Sequence, residues 1–310
     1  MKEKPLVSVV VATRNEEKNI EKCLCSVKAQ TYPAEMIEMV VVDNSSEDRT
    51  KEIARKFTDL VFDKGPERSA QRNYGILEVA TGRYVMFLDA DMILAPKTVE
   101  KAVEKMSGGD CVALYIPEIV LGTKYFSRVR RFERSFYDGK VIDAARFFRR
   151  DIFQEVGGFN VRMIAGEDWD LDKEFRRKGR VELLCIYDYR MVQDFVTSYS
   201  PEELIEAMKK KNFAYPVLFH NEAEINLCRY LAKKAFYTGY LDRYIEKWGA
   251  DDPDVREQIG FFYRFLGVFL EQGMWRRLLR QPILTVGMYF LRFSVGLVFL
   301  ASKLRPRSSD

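Results

Sequence analysis

Apolar and polar positions follow two alternating patterns over the first half of the chain. LVSVVVAT (6–13) and MIEMVVVD (36–43) are almost continuously apolar, as expected of strands buried on both faces of a sheet. Between them, NEEKNIEKCLCSVKAQ (15–30) places Ile20 and Leu24 at helical spacing. Such alternation predicts an α/β fold with a mostly parallel sheet and helices on both of its faces.

The alternation continues along the following segments. SSEDRTKEIARKF (45–57) has the N-cap and the first-turn acids of a helix, and LVFDK (60–64) predicts a short strand. RSAQRNYGILEVATG (68–82) predicts a helix that a glycine ends, and YVMFLD (84–89) predicts another buried strand.

The pattern becomes helical from about residue 201. SPEELIEAMKKKN (200–212) opens with a serine, a proline and two glutamates, which are helix-start signals. VREQIGFFYRFLGVFLEQG (255–273) carries its apolar residues on one broad helical face. We therefore expect an α/β region over residues 1–200 and a helical region over residues 201–310.

Polar residues follow three of the predicted strands, and the carboxyl ends of parallel strands are where α/β sheets bind ligands. These residues are Thr13, Arg14 and Asn15 after the first strand, Asp43 and Asn44 after the second, and Asp89 and Asp91 after the strand at 84–89. A pair of aspartates by itself is explained by a turn, or by a divalent cation that carries a phosphorylated ligand. Three polar strand ends at one edge favour a site.

Composition narrows the class of protein. A chain of 310 residues with 47% apolar and 31% charged residues is an ordinary globular protein, and a net charge of +4 is too small to indicate nucleic-acid binding. The N-terminal segment predicts a first strand and not a secretory signal. Five scattered cysteines and one histidine do not predict a zinc site, and reduced cysteines are expected.

Phosphate-binding loops of the common kinds are missing after the first strand. VVVATRNEEKN (9–19) lacks both the dinucleotide-binding fingerprint and the Walker pattern. Phosphate charge would therefore have to be met by a metal ion and by arginine. The same absence disfavours a nucleotidyltransferase.

Four segments resemble, in the right order, the successive motifs of family-2 glycosyltransferases. They are VSVVVATRNEEKNIEKCLCSVKAQTYP, EMVVVDNSSEDRT, AQRNYGILEVATGRYVMFLDADMILAP and GGFNVRMIAGEDWDLDKEFRRKG, and together they cover about residues 5–190. The resemblance implies a GT-A fold and transfer of a sugar from a nucleotide-sugar donor with inversion.

The resemblance also implies roles for the polar strand ends. The implied donor-binding residues are Thr13, Arg14, Asn15, Glu16, Asp43, Asn44, Ser69, Arg72 and Asp89. Asp43 would bind the base, and Arg72 would lie near the nucleotide, where a planar, permanently charged guanidinium suits phosphate. Asp91, with Asp89 as a second candidate, would hold Mn²⁺ or Mg²⁺ between the two phosphates. The alternative is that these acids only form turns and caps.

The resemblance also implies that the segment GEDWDL lies on the acceptor side of the reaction. A sugar-accepting hydroxyl needs a base, and the family pattern assigns that role to Asp168. Glu167 and Trp169 would lie in the acceptor region, although acids in a first helical turn also complement the helix dipole. A tryptophan at this position suits a protein core equally well.

The sequence departs from the family after the strand that follows this helix. Many relatives have a histidine there, whereas CIYDYRMVQDFVTSYS (185–200) has none. We expect Gln193 or Asp194 to supply an oxygen ligand instead, which favours Mg²⁺ or Mn²⁺, and we expect His220 to be structural. The QxxRW signature of processive synthases is also missing, so one sugar per acceptor is expected.

The last apolar run, residues 283–300, approaches the length of a membrane span. Arg292 lies at its middle, where an arginine costs about 2.5–3.5 kcal/mol at the bilayer centre. Basic residues flank the run on both sides: Arg276, Arg277 and Arg280 before it, and Lys303, Arg305 and Arg307 after it. We expect a helix that lies in the membrane interface, with Arg276, Arg277, Arg280 and Arg292 in contact with the membrane. A true span, or a packed helix that mediates oligomerisation, is the alternative.

The resemblance implies a metal-dependent inverting enzyme that uses a UDP- or GDP-sugar, and the C-terminal patterns add the expectation that it moves one sugar to a hydroxyl of a lipid or lipid-linked glycan. A second basic and aromatic segment, KYFSRVRRFERSF (124–136), adds to the expectation of a membrane-borne acceptor. The expected location is the cytoplasmic face of the cell membrane, with peripheral or monotopic attachment. The alternatives are a polyprenyl-phosphate sugar synthase, whose phosphate acceptor needs no base, and a non-catalytic nucleotide-sugar binding protein.

Overall fold

The alternating pattern forms the predicted sheet in the computed structural model, which describes residues 4–304 and side chains as far as residue 301. Arg305 and Arg307, and the side chain of Lys303, lie outside the described residues. The strands of the described range are β1 (Val7–Thr13), β2 (Ile37–Asp43), β3 (Val61–Asp63), β4 (Tyr84–Asp89), β5 (Met92–Leu94), β6 (Cys111–Tyr115), β7 (Glu118–Val120), β8 (Ala145–Arg149), β9 (Arg180–Leu183) and β10 (Leu218–His220).

Helices lie between and after these strands. They are α1 (Ile20–Lys28), α2 (Thr50–Ala54), α3 (Arg68–Asn73), α4 (Thr98–Met106), α5 (Tyr125–Arg134), α6 (Arg150–Glu155), α7 (Glu167–Lys178), α8 (Tyr189–Ser198), α9 (Leu204–Lys210), α10 (Leu227–Thr238), α11 (Asp242–Trp248), α12 (Pro253–Ile259), α13 (Val268–Leu270), α14 (Trp275–Arg280) and α15 (Pro282–Leu304). Two π-helical segments are Tyr74–Val79, directly after α3, and Tyr263–Gly267, directly before α13. Short 3-10 turns are Ala34–Met36 and Glu271–Gly273.

The main sheet of the described range has seven strands in the order β3-β2-β1-β4-β8-β6-β9. Strand β1 pairs in parallel with β2 on one side and with β4 on the other, so the strand order reverses at β1. In this register Thr13 lies beside Asp43, and Ala12 lies beside Asp89. The polar strand ends therefore meet at one edge, at the switch point where α/β sheets bind ligands.

Both faces of β1 are buried, which explains its continuous apolar run. On one face Val9 and Val11 belong to a core cluster that includes Leu24 of α1. On the other face Val10 packs in a second cluster with Val42 and Phe87. A strand between two helical layers has no solvent side, so alternation of apolar and polar residues is not needed.

A second sheet connects the C-terminal third to the first half of the chain. Strand β10 pairs antiparallel with β5 and parallel with β7, and His220 lies opposite Met92 and Val120. Because β5 begins directly after Asp91, this pairing brings the end of β10 to the carboxyl edge of the main sheet. The region predicted over residues 201–310 thus contributes one strand to this sheet.

The C-terminal helices differ from the predicted pattern in one respect. The segment 255–273 is not one helix, because α12 ends at Ile259 and Gly260 has an extended backbone. Long helix α15 packs against α5 and α10, and Met288 and Leu291 join Phe132 and Phe269 in a separate core cluster. By length and composition the segment Pro282–Ala301 is apolar enough to cross a membrane, with a mean hydropathy of 1.9, although core helices of soluble proteins meet the same criterion.

The prediction that Arg292 contacts the membrane is wrong. Arg292 is only 5% exposed, and its Nε lies 2.6 Å from Oε1 of Glu133 on α5. One of its terminal nitrogens also donates to the carbonyl oxygen of Arg264 at 2.6 Å. The arginine lies on the protein-facing side of α15 because a buried carboxylate neutralises it there, which sequence spacing does not reveal.

Candidate active site

One buried arginine connects two of the predicted acids. Arg72 donates from one terminal nitrogen to Oδ1 of Asp89 at 2.8 Å and from the other to Oδ1 of Asp168 at 3.0 Å. Its side chain is 1% exposed and its guanidinium lies over the ring of Phe87, 4.4 Å from the ring centroid. The three charged groups, which sequence analysis assigned separately, therefore form one unit.

Local packing of α3 fixes this arginine. The Glu67 side chain caps the helix by accepting a hydrogen bond from the amide of Ser69 at 3.0 Å. One turn on, Gln71 donates to the carbonyl oxygens of Thr13 at 2.9 Å and Val42 at 2.7 Å, at the ends of β1 and β2. This attachment directs Arg72 across the carboxyl edge of the sheet, where it meets Asp89.

The electrostatics of the unit keep Asp89 ionised. Burial opposes ionisation, but the Arg72 guanidinium, with Arg146 and Arg68, lowers the pKa of Asp89 well below its ordinary range. The other end of the unit is Asp168, in the first turn of α7. Gly166 allows this approach because it precedes the helix with a φ of 80°, a left-handed conformation that favours glycine.

Glu167 is held by a second arginine. The Arg68 side chain donates to Oε1 of Glu167 at 2.5 Å. Burial raises the pKa of Glu167 to about 7, and the neighbouring charge of Asp168 adds to that effect against the opposing effect of Arg68. Arg68 was not among the predicted site residues, although its position four residues before Arg72, on the same helical face, was a usable signal.

His220 and Asp91 form the second part of the site. Nε2 of His220 lies 3.1 Å from Oδ2 of Asp91, and its Nδ1 lies 2.9 Å from Oε1 of Glu118. Asn221 donates its amide to the carbonyl oxygen of Asp91 at 2.8 Å. Against the opposing effect of burial, the two carboxylates raise the pKa of His220 well above its ordinary value. His220 was expected to be structural, whereas the pairing of β10 with β5 brings its ring to Asp91.

The predicted oxygen ligands after α7 lie elsewhere. Gln193 accepts a hydrogen bond at its Oε1 from Nε of Arg131 at 2.6 Å, on helix α5. Asp194 is exposed on α8. The prediction of Gln193 as a metal ligand is therefore wrong, because α8 packs its glutamine on α5.

A divalent cation fits Asp91 only if other ligands join it. No group of three or more His, Cys, Asp or Glu side chains among residues 4–301 lies close enough together to hold a metal ion. Oδ1 of Asp91, however, is buried without a hydrogen-bond partner in that part of the chain. A carboxylate oxygen suits Mn²⁺ or Mg²⁺. Both ring nitrogens of His220 face carboxylates, so its imidazole would bind a cation only after giving up a proton. The remaining ligands must come from a bound molecule.

The predicted donor-binding loops contact each other. Asp43 accepts hydrogen bonds from the amide of Ser46 at 2.7 Å and from its hydroxyl at 2.5 Å, and the same hydroxyl accepts from the amide of Asn15 at 2.7 Å. Asn44 donates to the carbonyl oxygen of Pro66 at 2.8 Å, and the amide of Glu16 donates to Thr50 at 2.8 Å.

Two hydroxyls beside these loops are unusual. Thr13 Oγ1 and Ser69 Oγ are buried and, within the described residues, have no hydrogen-bond partner. Arg14, by contrast, is exposed on its loop. Buried hydroxyls without partners are uncommon in native proteins, and a bound polar ligand is one explanation for them.

A cavity of about 590 Å³ opens beside the acids at the start of α7. Glu167, Asp168 and Trp169 line it, together with residues of α10 and α15. Trp169 also donates from its indole nitrogen to the carbonyl oxygen of Ile142 at 3.3 Å, and its ring packs near Tyr244. Trp169 is therefore partly packed and also lines the cavity.

A mostly parallel sheet with acids at its switch point defines an α/β enzyme of the GT-A type, and comparison with known proteins identifies the family. Residues 8–163 match the family described as glycosyl transferase family 2. The chain belongs to this family and is a glycosyltransferase.

Relatives and solved structures agree with this assignment. Glycosyltransferase AglE of Haloferax volcanii is 31% identical over 223 residues, which are 67% of this chain and 71% of that protein. An uncharacterised glycosyltransferase of Methanocaldococcus jannaschii is 25% identical over 76% of this chain and 87% of its own length. The mannosyltransferase PcManGT of Pyrobaculum calidifontis, solved in complex with GDP-Man and Mn²⁺, has the same fold, with a TM-score of 0.51 at 18% identity over 97% of this chain and 89% of that chain.

Proposed function

We propose that the protein transfers one sugar, with inversion, from a UDP- or GDP-sugar to a hydroxyl of a lipid or lipid-linked glycan at the membrane surface. The observation that carries this proposal is the double ion pair of Arg72 with Asp89 and Asp168. Through this double ion pair Arg72 contacts both Asp89, an acid of the proposed donor site, and Asp168, the proposed base. A fold that only bound a nucleotide would not need a carboxylate on the acceptor side.

The donor would lie along the ends of β1, β2 and β4. Asp43 would accept a hydrogen bond from the base, since a carboxylate has about four acceptor positions and the two bonds from Ser46 leave capacity. The buried hydroxyls of Thr13 and Ser69, which have no partner among the described residues, would find one in the nucleotide. The GDP-Man bound by the structural neighbour supports a nucleotide-sugar as the donor class.

Asp91 and His220 would hold Mn²⁺ or Mg²⁺, with oxygens of the diphosphate and, as a further candidate, Asp89 completing the ligands. Support comes from Oδ1 of Asp91, which is buried without a partner within the described residues. His220 lies 3.1 Å from Oδ2 of the same carboxylate and would release the proton of Nε2 to become a ligand. When bound, the ion would offset the negative charge that develops on the departing diphosphate. The diphosphate leaves without a proton, so no separate acid is needed.

Asp168 would act as the base. Arg72 binds its Oδ1 and so fixes the orientation of the carboxylate, which leaves Oδ2 to take the proton of the acceptor hydroxyl. The hydroxyl oxygen then bonds to the anomeric carbon from the side opposite the diphosphate as the bond to the diphosphate breaks. Attack from the opposite face inverts the configuration of that carbon.

Membrane attachment would come from the region 201–310, and donor binding from the region 1–200 together with His220 of β10. The exposed large apolar side chains of the C-terminal helices support this, and they include Phe261, Phe262, Trp275, Leu279, Ile283, Val286, Phe290, Phe293, Leu297 and Leu300. Arg276 and Arg280 are exposed beside them, where they can meet anionic headgroups. Arg277 instead donates to the carbonyl oxygen of Ser135 at 3.1 Å. We propose peripheral or monotopic attachment at the cytoplasmic face.

The substitution Asp168→Asn tests the mechanism. Transfer to a hydroxyl should fall by about 10²–10⁴-fold, while the donor binds as before. Asp110→Asn, at an exposed loop carboxylate, is the matched control. Undiminished transfer to a hydroxyl by the variant would contradict the base. Transfer to a polyprenyl phosphate that the substitution leaves unchanged would favour a polyprenyl-phosphate sugar synthase, because a phosphate acceptor needs no base. Donor binding without transfer by the unaltered protein, across hydroxyl and phosphate acceptors, would favour the non-catalytic alternative.

A further inference from the structure

The cavity beside Asp168 has a lining of mixed character. Its volume of about 590 Å³ is within the range of sites for small organic ligands. Lys234 of α10 and Arg264 of the π-helical segment before α13 contribute positive charge. Phe265, Phe293 and Leu297 contribute apolar surface to the same cavity.

Two of the cations that line this cavity have no ion-pair partner in the described part of the chain, because the acids that also line it, Glu167 and Asp168, are paired with Arg68 and Arg72. Within residues 4–301, no carboxylate lies within ion-pair distance of the Lys234 ammonium or the Arg264 guanidinium. Glu133, an acid of the neighbouring helix, is already paired with Arg292 at 2.6 Å and with Arg130 at 2.6 Å. Two half-buried cations without a counter-ion are costly, and an anion bound between them would remove that cost.

The pKa of Lys234 reflects this environment. Burial lowers the pKa of its ammonium group to about 7, and the charges of Arg130 and Arg264 lower it further, against weaker opposing effects of Glu133 and Glu222. An anion in the cavity would restore the charged form. The lowered pKa of Lys234 therefore agrees with the absence of an ion-pair partner for its ammonium group within the described residues.

The apolar part of the cavity continues to the protein surface. Phe293 and Leu297 line the cavity and are also more than half exposed on α15. The same helix exposes Ile283, Val286 and Phe290 nearer its start. A hydrocarbon chain that leaves the cavity can therefore follow this exposed apolar row of α15.

We propose that this cavity binds the acceptor as an anionic amphiphile: Lys234 and Arg264 hold a phosphate group of a lipid, and its hydrocarbon chain follows Phe293 and Leu297 toward the bilayer. This rests on the proposed function, since the hydroxyl of the same molecule must reach Asp168. It goes beyond that function by naming the group that the protein recognises and the residues that select it. A neutral lipid would leave the two cations unpaired and would bind more weakly.

The test uses octyl phosphate, octanol and inorganic phosphate as probes, each titrated into the full chain by calorimetry. Octyl phosphate should bind with one molecule per chain and at least about tenfold more tightly than inorganic phosphate, because its chain buries apolar surface. The double variant Lys234→Gln/Arg264→Gln should weaken octyl phosphate by at least about tenfold and leave octanol nearly unchanged. Phe293→Ser/Leu297→Ser should weaken both octyl compounds.

Two controls keep this test separate from the proposed function. Arg190→Gln/Lys211→Gln removes the same charge from exposed positions and should leave all three probes unchanged. Binding of UDP and GDP with Mn²⁺, measured on the same variants, shows that each variant is folded and has an intact donor site.

The proposed acceptor site is overturned if the unaltered protein does not bind octyl phosphate, or if the Lys234→Gln/Arg264→Gln variant binds it as tightly as the unaltered protein does. If inorganic phosphate binds as tightly as octyl phosphate, the proposal that the ligand is a lipid is overturned. If the unaltered protein binds neither UDP nor GDP with Mn²⁺, the proposed function is overturned instead.

Discussion

Nε2 of His220 lies 3.1 Å from Oδ2 of Asp91, although the two residues are 129 positions apart along the chain. The antiparallel pairing of β10 with β5 produces this contact, because β5 begins one residue after Asp91. The strand that ends in His220 follows helices α8 and α9, so the C-terminal third supplies a side chain to the candidate active site.

Arg292 should be important for the stability of the isolated protein. Arg292→Met leaves Glu133, which is also buried, with Arg130 as its remaining ion-pair partner. We expect the free energy of unfolding in urea to fall by about 3 kcal/mol, near the lower end for a broken buried pair because Arg130 remains. The double variant Glu133→Gln/Arg292→Met should recover part of the loss. If Arg292 served only to contact lipid, its removal would leave stability in detergent-free buffer unchanged.

Asp138 should make stability fall at alkaline pH. Burial raises its pKa to about 8, Asp143 adds to the shift, and Arg134, Tyr187 and Arg277 oppose it. The unfolded chain has a carboxyl pKa of about 4, so the folded state binds the extra proton and this contribution to stability is lost as the pH rises from about 4 through 8.

The variant Asp138→Asn checks this pH dependence, because asparagine is neutral at every pH. Its free energy of unfolding should change less between pH 5 and pH 9 than that of the unaltered protein. At pH 9 the variant should be the more stable of the two. Parallel curves for the two proteins would show that the carboxyl is ionised in the fold at pH 5 as well.

The exposed face of α15 should bind membranes. Ile283 is 73% exposed and Val286 is 70% exposed, one helical turn apart. Ile283→Glu/Val286→Glu should weaken co-sedimentation with anionic vesicles by at least about tenfold, since two apolar side chains no longer enter the interface. Ile186→Glu changes an exposed isoleucine outside this face and should have no effect. Equal loss in both variants would mean that α15 has no special part in attachment.

Sequence patterns predicted the features of the fold that depend on residues close together in the chain. The runs that became β1, β2 and β4 are buried on both faces, and the polar residues at their ends meet at one edge because parallel strands place them there. The family assignment followed from the same local motifs. Asp89, Arg72 and Asp168 were each named as candidates from these motifs, but the bridge that Arg72 forms between the two acids was not predicted.

The errors came from contacts between distant segments. Gln193 was placed in the site because it follows the strand after α7, where many relatives have a histidine, whereas it packs on Arg131 of α5. Arg292 was given to the membrane because its partner Glu133 lies 159 positions away along the chain and no local pattern connects the two. His220 was missed because the register of a three-residue strand decides its position. A polar pair, His220 and Asn221, directly after an apolar strand was the available signal.

Metal-dependent binding of a nucleotide-sugar is the central claim, and calorimetry on the unaltered protein, Asp91→Asn and the exposed control Asp59→Asn tests it most directly. UDP- and GDP-sugars would be titrated with and without Mn²⁺. We predict that one donor binds to the unaltered protein and to the control only with Mn²⁺, and at least about tenfold more weakly to Asp91→Asn, because a charged ligand to the ion is lost. Binding that is equally tight without Mn²⁺ and in Asp91→Asn would contradict the account and leave Asp91 as a residue of a turn.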